Sequence, residues 1–93
     1  MEKTPETELD TVRRWIVDEL DDAKAVGILE LDIRSLTQIA DWMVVASGTS
    51  TRHVLALAER LRAAGVRQGV KPSGVEGESD GEWVLLDFGD LIV

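Results

Sequence analysis

The chain has 93 residues, 44% of them apolar and 30% charged, with no cysteine and a formal net charge of −8. That length gives one small domain, and the apolar share excludes a disordered chain. Without cysteine there is no disulfide, thiol nucleophile or thiolate metal site, and the acidic balance argues against a simple nucleic-acid binder.

The charge is unevenly placed. Residues 1–41 hold eleven acids against five bases, whereas residues 42–75 hold Glu59 against Arg52, Arg60, Arg62, Arg67 and Lys71. Residues 76–93 hold Glu76, Glu78, Asp80, Glu82, Asp87 and Asp90 and no base. Such a field speeds encounter with a basic partner, although the same charge also serves solubility alone. No apolar run approaches the ~18 residues that cross a bilayer. The start, MEKTPETELD, is acidic and polar, the opposite of a secretory or transit signal, so a cytoplasmic protein is expected.

Residues 1–6 read as a loose terminus before a single domain over 7–93. From Thr7, Leu9, Val12, Ile16, Leu20 and Ala23 step by three and four, which predicts a helix with one apolar face. Thr7 or Asp10 suits its N-cap, and Gly27 falls just past its end. Residues 28–34 (ILELDIR) alternate, with Leu29, Leu31 and Ile33 on the expected buried side and Glu30, Asp32 and Arg34 opposite. WMVVAS is more continuously apolar and predicts a strand buried on both faces.

Thr51 to Ala64 carries Val54, Leu57, Ala58 and Leu61 at helical spacing, with Thr49 or Ser50 as N-cap and Gly65 as a left-handed C-cap. VKPSGVEGE is weakly extended, because Pro72, Gly74 and Gly77 discourage a central strand. Ser79-Asp80-Gly81 signals a hairpin before EWVLLDFG, and DLIV begins a last strand. The order predicts a small α/β domain with a mixed sheet flanked by helices.

Gly48-Thr49-Ser50, at a strand-to-helix junction, is where many proteins hold phosphate. A P-loop needs a second Gly followed by Lys and Ser or Thr, and a dinucleotide site needs Gly-x-Gly-x-x-Gly; neither is present. Nucleotidyltransferases follow such a turn with two Mg²⁺-holding carboxylates, but here Arg52, His53 and an apolar helix face follow. The turn therefore reads as a cap. His53, the sole histidine, has no nucleophile-elbow pattern beside it and reads as a surface or interface residue.

In the hairpin, Val84, Leu86 and Phe88 share one face and form an obvious core set. Trp83, Leu85 and Asp87 share the other, beside Glu76, Glu78, Glu82 and Asp90. Two readings stay open: Trp83 is half-buried core, or it is an aromatic anchor ringed by acids that docks a basic protein surface.

Five ordered elements together carry a resemblance. They are Leu31-Asp32-Ile33-Arg34, Thr37 to Trp42, Gly48 to His53, Gly74 to Gly77, and Trp83 to Asp90. Over residues 9–93 the chain resembles the ribosomal silencing factor, or Iojap-like, family. The resemblance implies a nucleotidyltransferase-like α/β fold without catalytic acids. It also implies a non-enzymatic translation repressor that binds the large ribosomal subunit on its fourteenth protein and blocks subunit joining.

A homodimer is implied as well, with no cofactor, no metal, no membrane and no direct nucleic-acid contact. By the family motifs, the expected partner-binding residues are Trp83, Asp87 and Asp90 of the hairpin, with Asp41, Trp42, Arg52 and His53 from the adjacent elements. The family pattern goes on past Val93 with the rest of a strand and a short helix, so the chain reads as C-terminally shortened. Two alternatives accompany this reading: a nucleotide-binding enzyme using the Gly48–Ser50 turn, and a generic acidic adaptor.

Overall fold

The computed structural model describes residues 8–77, 79 and 82–93. Thr7, Glu78 and the Asp80-Gly81 pair of the expected hairpin turn lie outside the described residues. Helix α1 spans Glu8–Asp22 and buries Ile16 and Leu20, as the three-and-four spacing predicts. Its left-handed turn falls on Lys24 (φ 68°), not on the expected Gly27. The Lys24 amide donates to the Asp21 carbonyl and the Ala25 amide to the Leu20 carbonyl, a closure that needs positive φ directly after the helix. Gly27 comes too late for that. It has φ 62° within strand β1 (Val26–Asp32), where the register with the next strand shifts.

Strand β2 (Trp42–Ser47) pairs antiparallel with β1, placing Leu29 opposite Val45 and Asp32 opposite Trp42. Helix α2 runs Thr51–Gln68 with Ser50 as its N-cap, four residues beyond the expected end at Ala64. Gly65 is not its cap. It is buried inside the helix, where a Cβ would lie 2.3 Å from the Val70 carbonyl oxygen, and Gly69 (φ 75°) closes the helix instead. Three short strands follow: β3 (Gly74–Glu76), β4 (Leu85–Asp87) and β5 (Leu91–Ile92). The sheet order is β1-β2-β5-β4-β3, with β5 parallel to β2 and the other neighbours antiparallel.

Both helices cover the same face of this mixed sheet. The core joins Ile16 and Leu20 of α1 with Leu57, Ala58 and Leu61 of α2, against Val44, Leu86 and Leu91. Helices therefore flank the sheet on one side only, and two sequence expectations need correction. WMVVAS is not buried on both faces: Val44 points to the helices and Val45 is exposed. Leu29 and Leu31 are not a core stripe either, being 57% and 41% exposed. Alternation fixes which residues share a face, but the helix layer decides which face is dry. Here α1 meets the other one, where Arg13 pairs with Glu30 at 3.1 Å.

Candidate functional site

Six of the seven residues singled out in the sequence, all but Trp83, fall at the two ends of β2, which spans about 17 Å at ~3.3 Å per residue. One group gathers where β2 begins. The Asp90 carbonyl accepts both the Asp41 amide (2.8 Å) and the Trp42 amide (3.1 Å), so the β4–β5 turn is tied to the start of β2. Asp87 Oδ1 accepts the Gly89 amide at 2.8 Å and closes that turn, in which Gly89 has φ 90°. These backbone ties bring Asp41, Trp42, Asp87 and Asp90 together.

Trp42 does not point the same way as the acids. It lies on the helix side, half-buried, with the Arg13 guanidinium 3.7 Å from its ring centre and that of Arg34 at 5.9 Å. Arg13 also pairs with Glu30, while its Nη1 is buried with no hydrogen-bond acceptor among the described residues. Contact with the ring face offsets that loss. Arg34 forks onto Asp32, and this hydrogen bonding lowers the Asp32 carboxyl to about 2 and raises the Arg34 guanidinium above its ordinary value.

The second group surrounds the first turn of α2. Ser50 Oγ accepts the His53 amide at 3.1 Å, and the Thr49 amide donates to His53 Nδ1 at 2.9 Å. With Nδ1 accepting, the ring proton sits on Nε2, which donates to the Ala23 carbonyl at 2.9 Å. His53 therefore joins the α2 entry to the loop after α1. Gly48 is required by packing: a Cβ there would lie 2.9 Å from a Val54 methyl. The amides of Thr49 and His53 are taken by side chains of the turn itself, which is the geometry of a cap. Arg52 is exposed on the same turn.

Asp87 and Asp90, the acid pair that a nucleotidyltransferase reading needs, lie at the opposite end of β2 from Gly48. Among the described residues, no group of three or more His, Asp or Glu is placed to share a metal ion. None of their helices is long and apolar enough to cross a membrane.

Trp83 is 56% exposed. Gly77 (φ 83°) lies against it: a Cβ at that position would fall 2.8 Å from a ring carbon and 2.3 Å from the Trp83 carbonyl oxygen. Strand alternation puts Leu85 and Asp87 on the sheet face that the helices leave uncovered, and the exposed Trp83 lies two residues before β4 begins. Leu29, Leu31, Met43 and Val45 share that face, and Leu36 and Ile39 in the following loop are strongly exposed. The uncovered face is thus apolar in the middle with Asp41, Asp87 and Glu76 at its margin. Sequence reading missed this surface because its leucines fit a core pattern equally well. The Arg13–Trp42 contact had no local signal, since 29 positions separate its members.

A family model described as ribosomal silencing factor during starvation matches residues 5–93. The chain belongs to the ribosomal silencing factor family. It is 40% identical over 86 residues to ribosomal silencing factor RsfS of Chromobacterium violaceum, covering 92% of this chain and 70% of the relative. It is 40% identical over 80 residues to RsfS of Zymomonas mobilis, covering 86% of this chain and 60% of that relative. For RsfS of Bacillus subtilis the values are 33% over 73 residues, 78% and 62%. The chain thus spans between 60% and 70% of the lengths of these relatives.

The fold agrees with solved silencing-factor relatives. A crystal structure of a Chromobacterium violaceum protein superposes with a TM-score of 0.89 at 39% identity, covering 94% of this chain and 72% of that one. A Bacillus halodurans crystal structure gives 0.83 at 29% identity, covering 89% and 77%. In this silencing-factor chain the five sequence elements map to the end of β1, the start of β2, the α2 cap, β3 with Gly77, and β4 with its turn.

Proposed function

We propose that this chain represses translation by docking on the large ribosomal subunit, through its basic fourteenth protein, and sterically blocking small-subunit joining. Family membership supports the ribosomal role. The uncovered sheet face carries the docking reading: an apolar middle with exposed Trp83, margined by Asp41, Asp87 and Glu76. Apolar contact desolvated at the centre, with carboxylates set against Lys and Arg at the rim, is how a tight and correctly oriented protein interface is built. Trp83 serves as anchor, and the acids steer encounter and turn rRNA away. No bond is made or broken in this reading, no cofactor is used, and the protein works in the cytoplasm.

Co-sedimentation with purified subunits tests it. Binding to the large subunit alone, with reduced joining when the small subunit is added, is the expected result. Binding to both subunits alike, or to neither, overturns it. A generic acidic adaptor would lose its partner at moderate salt, whereas a Trp-centred interface persists in part as charges are screened.

The homodimer belongs to the same reading. Edge strand β1 is seven residues long, with Leu29 and Leu31 exposed beside its unpaired side. Analytical ultracentrifugation across a concentration series reads the dimer directly, and a monomer throughout rules it out.

A further inference from the structure

The loop between β1 and β2 carries the two most exposed large apolar side chains among the described residues, Leu36 at 80% and Ile39 at 78%. The connection is not slack. Ile33 and Ala40 are buried near its two ends, and the Ile33 amide donates to the Asp41 carbonyl at 3.0 Å. The Ile33 carbonyl accepts the Leu36 and Thr37 amides at 2.9 and 3.1 Å, and Thr37 Oγ1 accepts the Ile39 amide at 3.1 Å. Backbone and hydroxyl groups are thus spent inside the loop, while two aliphatic side chains three positions apart are held in water. We propose that Leu36 and Ile39, held in place by Thr37, form a second anchor of the docking surface and seat in an apolar hollow of a basic protein surface.

The surroundings define the partner. Asp41 closes the loop, and the Asp90 carbonyl, by accepting the Asp41 and Trp42 amides, brings the exposed Asp90 beside it. The adjoining base, Arg34, is matched by Asp32 through two side-chain hydrogen bonds. Aliphatic groups beside carboxylates repel phosphate and offer bases nothing to stack on, which turns away nucleic acid and anionic membrane alike. They fit a protein surface on which Lys or Arg rims an apolar depression.

The topology gives the second anchor its purpose. Strand β5 runs parallel to β2 and β4 antiparallel to β5, so β4 begins at the far end of β2 from this loop. Trp83, two residues before β4, and the Leu36–Ile39 pair therefore stand toward opposite ends of the sheet. A partner held at one point can swivel. Two anchors separated by roughly the length of β2, about 17 Å, fix its orientation, and blocking a third body by bulk requires a fixed orientation. This inference rests on the docking reading above and adds the residues that orient the complex.

The test is co-sedimentation of the 93-residue chain with purified large subunits at low and at high salt, with urea denaturation of each variant alongside. The double variant Leu36→Ser, Ile39→Ser is expected to bind about tenfold more weakly. The factor is the same at both salts, because no charge is removed, and the urea midpoint is unchanged. Val66→Ser, at a side chain 58% exposed on α2, is expected to bind as the parent chain does. Thr37→Val keeps the side-chain shape but cannot hold the Ile39 amide, and is expected to weaken binding; Thr37→Ser, which keeps the hydroxyl, restores it. Undiminished binding by the double variant or by Thr37→Val overturns the proposal. So does an equal loss in Val66→Ser, which would mark unspecific apolar adhesion, or a lowered urea midpoint in the double variant, which would mark packed side chains. If the parent chain binds no subunit, the docking reading falls and takes this inference with it; if the parent chain binds and the double variant matches it, this inference falls alone.

Discussion

The guanidinium of Arg13 lies 3.7 Å from the centre of the Trp42 ring, so a helix residue and a strand residue 29 positions apart share one contact. The contact makes Trp42 part of the helix–sheet junction. Trp42→Ala is expected to lower unfolding free energy by about 2–3 kcal/mol, below a full core Trp loss because the ring is half-buried. Arg13→Met, which keeps the stem but loses the charge, is expected to cost about 1 kcal/mol. Urea denaturation measures both. A neutral Trp42→Ala would return that residue to the docking surface.

Trp83 predicts the reverse pattern. Being more than half exposed, Trp83→Ala is expected to leave the urea midpoint nearly unchanged while weakening large-subunit binding by about 2 kcal/mol, roughly 30-fold. Circular dichroism and co-sedimentation on the same preparation separate fold from docking. Unfolding of the variant would mark Trp83 as core.

Gly77→Ala is expected to destabilise the chain by about 1–3 kcal/mol, because it combines φ 83° with a clash against Trp83. Gly74→Ala is the control, with open space at its Cβ and no positive φ. Equal thermal midpoints for the two variants would remove the role assigned to Gly77.

Hydrogen bonding to Arg34 depresses the Asp32 carboxyl from 3.8 to about 2. A folded value below the unfolded one means that the ion pair stabilises fully above pH 3.8 and loses its effect as pH falls through about 2. Asp32→Asn is therefore expected to flatten that part of the stability profile between pH 4 and 2. Thermal midpoints over that window, with the NMR titration of Asp32, check the sign; both residues are exposed, so the effect is small.

His53→Ala removes both ring bonds, to Thr49 and to Ala23, and is expected to cost about 1–2 kcal/mol. Faster hydrogen exchange at the Thr49 amide is the local signature. An unchanged stability with lost subunit binding would show that His53 acts on the partner and not on the fold.

Much of the architecture was legible because its signals are local. Ile16 and Leu20 sit where helical spacing puts them, Ser50 caps α2, and Leu86 lies on the predicted core side of its strand. Helix ends were less legible. Gly65 and Gly27 looked like stops, but a buried close approach of Val70 demands one and a strand irregularity the other. Within the candidate site, the motifs named Trp83, Asp87, Asp90, Asp41, Trp42, Arg52 and His53 as one set, whereas the Asp90 carbonyl physically links only the β4–β5 turn with Asp41 and Trp42.

By itself, the sequence determined the element order, the pairs of residues that share a face, and the family, because spacing and motif are properties of neighbouring positions. Only the tertiary structure decided which face the helices cover. Two helices placed on one side leave Leu29, Leu31 and Val45 in water with Trp83, and turn Trp42 inward under Arg13. Alternation has a period of two and no preferred sign. Long-range packing, through Glu30 meeting Arg13 and Val44 meeting α1 and α2, chose the sign and so left that face uncovered.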